Sequence, residues 1–330
     1  FGRRAVPCGG VSSVMIATDR RGQGLARAVV RHALDAMATR GEAISSLFPT
    51  TATLYRSLGY EIAGTYRVQR VPIDELPAGD GSIEWEPAAF DAVDVRSVAN
   101  RAGIDHDGWL VRGDLDYGWL EYHRRQRSTS GDVFVGRRDG APVAAVAVSY
   151  DAAATDEVFE LTVDLVTGVG HDALREALAF LARHGTSAGQ ADVKLPDHVL
   201  RDQLTHPQRL GHVWGKPWMT RIVDVAPALR ARGWNPAIEA TIDLELTDDG
   251  RPGNATRWRL TLEDGAATVE AGGDGTAAMD IRDLATWYTG ATPAAALARR
   301  GRLTTDDDLV VARLDAAVAG GEPPTTIDFF

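Results

Sequence analysis

The run Arg21-Gly22-Gln23-Gly24-Leu25-Ala26 is the strongest chemical signal in the chain. It joins an apolar stretch to an amphipathic one. Glycines let the backbone turn its N–H groups toward an anion. A helix starting there adds about half a positive charge at its N-terminus. Arg21, with Arg20 beside it, adds full charge and forked donors. Together these suit a pyrophosphate. The run is not a P-loop, because no Gly-Lys-Ser/Thr follows. Nor is it a dinucleotide fingerprint, since the glycine spacing fails and no acidic residue ends the next strand.

A phenol is the second candidate. Tyr55 lies in Leu54-Tyr55-Arg56-Ser57-Leu58-Gly59-Tyr60. With an ordinary pKa of about 10, it stays protonated at neutral pH and can donate to a departing group. Plain packing on a short helix is the alternative, and Tyr60 reads as core. Cys8, the single cysteine, has no His or Asp beside it in sequence to activate it. The eight histidines are scattered and no Cys/His cluster has metal-ligand spacing, so no metal is expected.

The elements that position these residues follow from periodicity. Residues 11–18 (VSSVMIAT) read as a buried strand. Leu25–Arg40 reads as a helix with Leu25, Val29, Ala33 and Met37 as its apolar stripe and Gly41 as its stop. Residues 43–48 form the next strand, which Pro49 ends. Thr50 or Thr51 can cap a short helix through Leu58. Tyr60, Ile62, Tyr66 and Val68 alternate as in a half-buried strand. Residues 71–77 look like a linker.

A second α/β region spans residues 78–223. It holds helical patterns at 87–101 and around 119–127, a hairpin over 132–150, a strand at 157–167, a helix at 171–184 and a strand at 191–195. Its order repeats the first region: LFPTTATLYRSLGY compares with KLPDHVLRDQLTHPQRLGH. We read a degenerate internal duplication. From Asp224 the pattern changes. Ile242, Leu244 and Leu246 alternate, as do Trp258, Leu260 and Leu262, predicting an antiparallel sheet. Helical patterns follow at 283–288, 293–300 and 306–319. The fold class is α/β (α+β), in three parts.

Arg21, Gly24 and Ala26 stand as in the R-x-x-G-x-A signature of the GNAT N-acetyltransferases. Residues 54–60 resemble that superfamily's second landmark, in the right order and at the right separation. Across nearly its full length the chain resembles the enhanced intracellular survival (Eis) family of bacterial acetyltransferases. That resemblance implies a GNAT domain at 1–74, a second, degenerate GNAT-like domain at 75–222 and a sterol carrier protein-like domain at 223–330. The first strands and helices of a usual GNAT domain are absent from the sequence. The resemblance also implies acetyl-CoA as co-substrate. Backbone groups of Val14, Met15 and Ile16 would hold its pantetheine arm and polarise the thioester carbonyl. Amides of Arg21, Gly22, Gln23, Gly24, Leu25 and Ala26 would take the pyrophosphate, with Thr50 and Thr51 in contact. Tyr55 would be the general acid and the carboxylate of Phe330 the general base. The second unit has Thr167-Gly168-Val169-Gly170-His171 at its elbow, without arginine, and should not bind coenzyme. A hexamer is implied.

Composition sets the outer limits. The 330 residues are 44% hydrophobic and 25% charged, an ordinary globular balance. A formal charge of -11 argues against nucleic acid and favours a cationic partner, although solubility alone also explains it. No apolar run approaches the roughly 18 residues that span a bilayer. One cysteine fits a reducing, cytoplasmic setting. The chain starts at Phe1, so a segment is expected upstream, and a targeting signal there is compatible with the reading. The function read from the sequence is acetylation of primary amines on a polycationic small molecule, aminoglycoside-like or polyamine. The alternatives are a protein-lysine acetyltransferase and a non-enzymatic lipid or sterol binder.

Overall fold

The computed structural model of the protein describes residues 1–113, 131–151 and 160–329. Phe330 and the helix expected around 119–127 lie outside the described residues.

The first unit runs β1 (Cys8–Val11), α1 (Leu25–Arg40), β2 (Ile44–Leu47), α2 (Ala52–Arg56) and β3 (Glu61–Pro72). β1 and β2 are parallel, and α1 is the crossover between them. Gly41 ends α1 in a left-handed turn (φ 78°), its N–H reaching the carbonyls of Met37 and Ala38. The buried face of α1 is Val30, Leu34 and Met37. Of the expected stripe, Leu25 and Val29 are instead 41% and 52% exposed. A strict four-residue repeat drifts by about 40° at each step of a helix with 3.6 residues per turn. Leu25 and Met37 therefore cannot share a face.

β3 absorbs the start of the expected linker, and Val71 and Ile73 are core residues. Ile62, expected inside, is exposed because a bulge between Ile62 and Gly64 resets the alternation and buries Ala63.

The second unit runs β4 (Glu84–Pro87), α3 (Val93–Gly103), β5 (Gly131–Arg138), β6 (Ala141–Asp151), β7 (Glu160–Gly168), α4 (His171–Leu181), β8 (Gln190–Val193), α5 (Asp197–Arg201) and β9 (Gly211–Ile222). The helix expected from Pro87 begins only at Val93, because Glu84–Pro87 pairs with β5 as a strand. α4 links the parallel pair β7–β8, just as α1 links β1–β2. Among the described residues, both units share one sheet in the order β1-β2-β9-β3-β8-β7-β6-β5-β4. β9 comes late in the chain yet lies between β2 and β3.

The C-terminal unit holds α6 (Val225–Ala231), β10 (Ala240–Thr247), β11 (Arg257–Glu263), β12 (Ala266–Ala271), β13 (Ala277–Asp280), α7 (Ile281–Tyr288), α8 (Ala294–Arg299), β14 (Leu303–Thr304) and α9 (Asp308–Val318). β10–β12 are antiparallel as expected, whereas β13 joins β10 in parallel. Ile242, Leu244, Leu246, Leu260 and Leu262 face the core. Trp234, Trp287 and Tyr288 fill its centre. Trp287 Nε1 donates to the Leu314 carbonyl and the Tyr288 hydroxyl to that of Ala228, so neither polar tip is stranded. Finally β15 (Thr325–Thr326) returns to the first sheet, parallel to β3.

A buried ion pair joins the two sheets. Arg221 of β9 meets Asp248 at 2.7 Å, their side chains 0% and 1% exposed. Asp248 also accepts from Asn254 Nδ2 at 2.9 Å. Asp248→Ala leaves the guanidinium buried and uncompensated, an expected loss of about 3–5 kcal/mol. Urea unfolding should show a clearly lower midpoint; an unshifted midpoint contradicts this.

Candidate active site

β1 and β2 run side by side as far as the pair Val11–Leu47. There they part. Pro49 has no N–H and a fixed φ, so the chain leaves β2 and turns into α2. The other chain continues as Ser12–Ala17, kinked at Ser13 (φ 55°). The strand expected through Thr18 thus ends at Val11, because nothing beyond that point pairs with it. Met15 is 87% exposed rather than buried. The main chain of Val14 and Met15 pairs with no strand among the described residues. The side chain of Val14 packs on the same cluster as Tyr55, Val30 and Leu34.

A short turn, Thr18–Arg20, leads into the elbow. Gly22 and Gly24 both take left-handed angles, φ 78° and 75°. Nothing lies within 4 Å of where a Cβ would stand on either, so the glycines serve conformation, not crowding. Gly24 is the N-cap of α1, and α1 has no side-chain cap and no acidic residue in its first turn. The leading amides are left for an outside anion. Arg20 and Arg21 are exposed beside them. Arg21 lies back, its Nε donating to the Ile16 carbonyl at 3.3 Å. The open elbow, uncapped helix and two arginines fit a diphosphate. In Gly24→Val the left-handed angle costs about 1–2 kcal/mol, so titration calorimetry should show acetyl-CoA binding weakened by about tenfold. Unchanged affinity would remove Gly24 from the cradle.

The second unit's elbow is built differently. A Cβ on Gly168 would collide with the backbone of Ala173 and Leu174 in the first turn of α4. The Val169 amide is already given to the Val143 carbonyl at 2.8 Å. The space behind Gly168 is thus taken by the protein's own backbone, and Asp172 places a negative charge in the first turn of α4, although Gly170 at its N-cap (φ 86°) is as open as Gly24.

α2 brings Tyr55 up at the end of β2. Its ring is buried against Leu47, Leu58 and Tyr60, the Tyr55–Tyr60 centroids 5.9 Å apart. Its hydroxyl takes no hydrogen bond from the described residues, and burial raises its pKa. Tyr60 is core, as expected: its hydroxyl pairs with Ser45 Oγ at 2.7 Å. Thr51 sits at the cap position of α2 without making the cap hydrogen bond, and both Thr50 and Thr51 are exposed.

The chain's tail arrives from the other side. Phe329 packs on Phe48, the residue after β2, with ring centroids 4.5 Å apart. Tyr66 and Trp214 complete the cluster at 5.6 and 5.8 Å. Lys216 Nζ stands 5.4 Å from the Phe329 ring centroid. That Phe48, Tyr66, Trp214 and Lys216 form one seat was not readable from the sequence, since only β9's insertion beside β3 brings them together. A cavity of about 580 Å³ lies along β1 and β2, lined by Cys8, Gly10, Ser12, Ser46, Trp109 and Trp218 among others.

Known proteins match this architecture. Residues 1–63 match the acetyltransferase (GNAT) domain family, and residues 225–326 the sterol carrier protein domain family. An uncharacterized N-acetyltransferase of Streptomyces avermitilis is 26% identical over 92% of this chain and 76% of its own. N-acetyltransferase Eis of Mycobacterium tuberculosis is 28% identical over 98% of this chain and 81% of its own. The crystal structure of a GCN5-related N-acetyltransferase from Anabaena variabilis superposes with a TM-score of 0.91 at 27% identity, covering 100% of this chain and 84% of that one. The chain is an N-acetyltransferase that joins a GNAT domain to a sterol carrier protein domain, and its likeness to the Eis proteins runs along nearly its whole length. Its fold is α/β with mixed sheets, as the sequence implied. A GNAT fold implies acetyl-CoA as the acetyl donor. Among the described residues, no His/Cys/Asp/Glu group could hold a metal ion and no helix is long and apolar enough to cross a membrane.

Proposed function

We propose that this acetyltransferase acetylates primary amines of a polycationic small molecule, aminoglycoside-like or polyamine, by direct transfer. Acetyl-CoA supplies the acetyl group as a thioester. The amides of Arg21–Ala26 hold the diphosphate, and exposed Thr50 and Thr51 lie alongside. Main-chain groups of Val14–Ile16, which pair with no strand among the described residues, would polarise the thioester carbonyl; one such donor is typically worth about 10²–10³ in rate. Tyr55 donates its proton to the departing sulfur. The carboxylate of Phe330 takes a proton from the substrate ammonium, directly or through water.

The observation that carries this reading is convergence. Tyr55 and Phe48 flank the end of β2, and Phe329 rests on Phe48. The described tail, as far as Phe329, is therefore seated at the same strand end that carries the phenol. The formal charge of -11 supports a cationic acceptor. Domains at 1–74, 75–222 and 223–330, a hexamer and a cytoplasmic setting belong to the same proposal. A thiol-release assay with acetyl-CoA across an amine panel tests it. Polyamines and aminoglycosides should turn over well above neutral or anionic amines. Equal rates across the panel, or turnover of lysine peptides alone, contradict the substrate class.

A further inference from the structure

We propose that the buried pair Arg112–Asp328 is a positioning device, through which the second α/β unit holds the tail for chemistry performed on the first. The proposal rests on the reading of the chain end as base.

Arg112 Nη2 donates to both oxygens of Asp328, at 2.8 and 3.1 Å. Their side chains are 2% and 7% exposed. Arg112 is itself fixed. Its N–H donates to Asn100 Oδ1 at 2.7 Å, and Asn100 Nδ2 donates to its carbonyl at 3.2 Å. Asn100 belongs to α3, so the main chain that carries the guanidinium is pinned to a helix of the second unit.

The rest of the tail is held at every step. Glu322 meets His198 Nε2 at 2.6 Å and His106 Nδ1 at 3.4 Å. The Thr65 N–H donates to the Pro324 carbonyl at 3.2 Å, and the Thr325 N–H to that of Asp107 at 3.0 Å. Ile327 is buried in the cluster that contains Val95, Val98 and Ala99 of α3. The Asp328 N–H donates to Thr326 Oγ1 at 3.2 Å, bending the chain before Phe329. From there Phe329 lies on the first unit's rings.

A terminus frays unless it is tied down. Stability alone is a poor reason for this tie, because buried ion pairs seldom outperform apolar replacements. A guanidinium nitrogen held by both carboxylate oxygens fixes orientation instead. Displacing a reacting group by about 1 Å can cost about 10²-fold in rate. Unit two thus works as the clamp for the first unit's base.

The test uses Arg112→Met, Asp328→Asn and the reversed pair Arg112→Asp with Asp328→Arg, in the full chain. Two readouts are independent: the rate at which carboxypeptidase Y releases phenylalanine from the tail, and kcat beside KM for acetyl-CoA. Arg112→Met should speed release and lower kcat by about 10²-fold, with KM for acetyl-CoA unchanged. Asp328→Asn should do the same to a smaller extent. The reversed pair should recover part of both. Release as slow as in the native protein, from either single variant, overturns the clamp. Faster release with unchanged kcat leaves the tie standing and overturns the chain end's part in catalysis.

Discussion

Tyr55→Phe should lower kcat by about 10²–10³-fold, within the range that a positioned general acid contributes. The ring stays, so its packing on Tyr60 and Leu47 is kept and the fold should melt at nearly the native temperature. Acetyl-CoA affinity should not change, because the elbow at Arg21–Ala26 is untouched. The pH profile gives a second check. Burial raises the Tyr55 phenol above its ordinary value, which is about 10. Its protonated form is the donor. Activity should therefore hold through neutral pH and fall as pH rises through the raised pKa. The variant should lack that alkaline fall. A variant as fast as the native protein would take the phenol out of the reaction.

Appending a single glycine after Phe330 should have an effect of similar size. One residue displaces the terminal carboxylate by about 3.5 Å, beyond the roughly 1 Å that already costs about 10²-fold. The aromatic seat of Phe329 and the Arg112–Asp328 tie precede the addition and remain. Acetyl-CoA titration should be unchanged while thiol release collapses. Undiminished turnover in the extended protein contradicts the carboxylate's role.

Local punctuation made much of this site legible. Gly24 and Gly41 bracket α1 with left-handed turns, and the helix runs between them, Leu25–Arg40, as read. Pro49 and Gly59 likewise bound the short segment carrying Tyr55. Pairing partners were not legible. Val14 and Ile16 have strand propensity, yet β2 turns away at Phe48-Pro49 and leaves them unpaired. Pro87 reads as a helix start, but β5 recruits Glu84–Pro87 as a strand. The largest gap is non-local. β9 inserts between β2 and β3, and β15 runs along β3, so the tail's seat draws on distant parts of the chain. Arg112 and Asp328 are 216 positions apart, and no local pattern links them. The second elbow's missing arginine was legible, whereas the backbone of α4 lying directly behind Gly168 required the packing itself.

The central claim is that one glycine elbow grips the coenzyme and its twin does not. Hydrogen exchange read amide by amide, with and without acetyl-CoA, tests it most directly. New protection is expected at Gly22, Gln23, Gly24, Leu25 and Ala26, and none at Thr167–His171. Protection at the second elbow, or at neither, would contradict it.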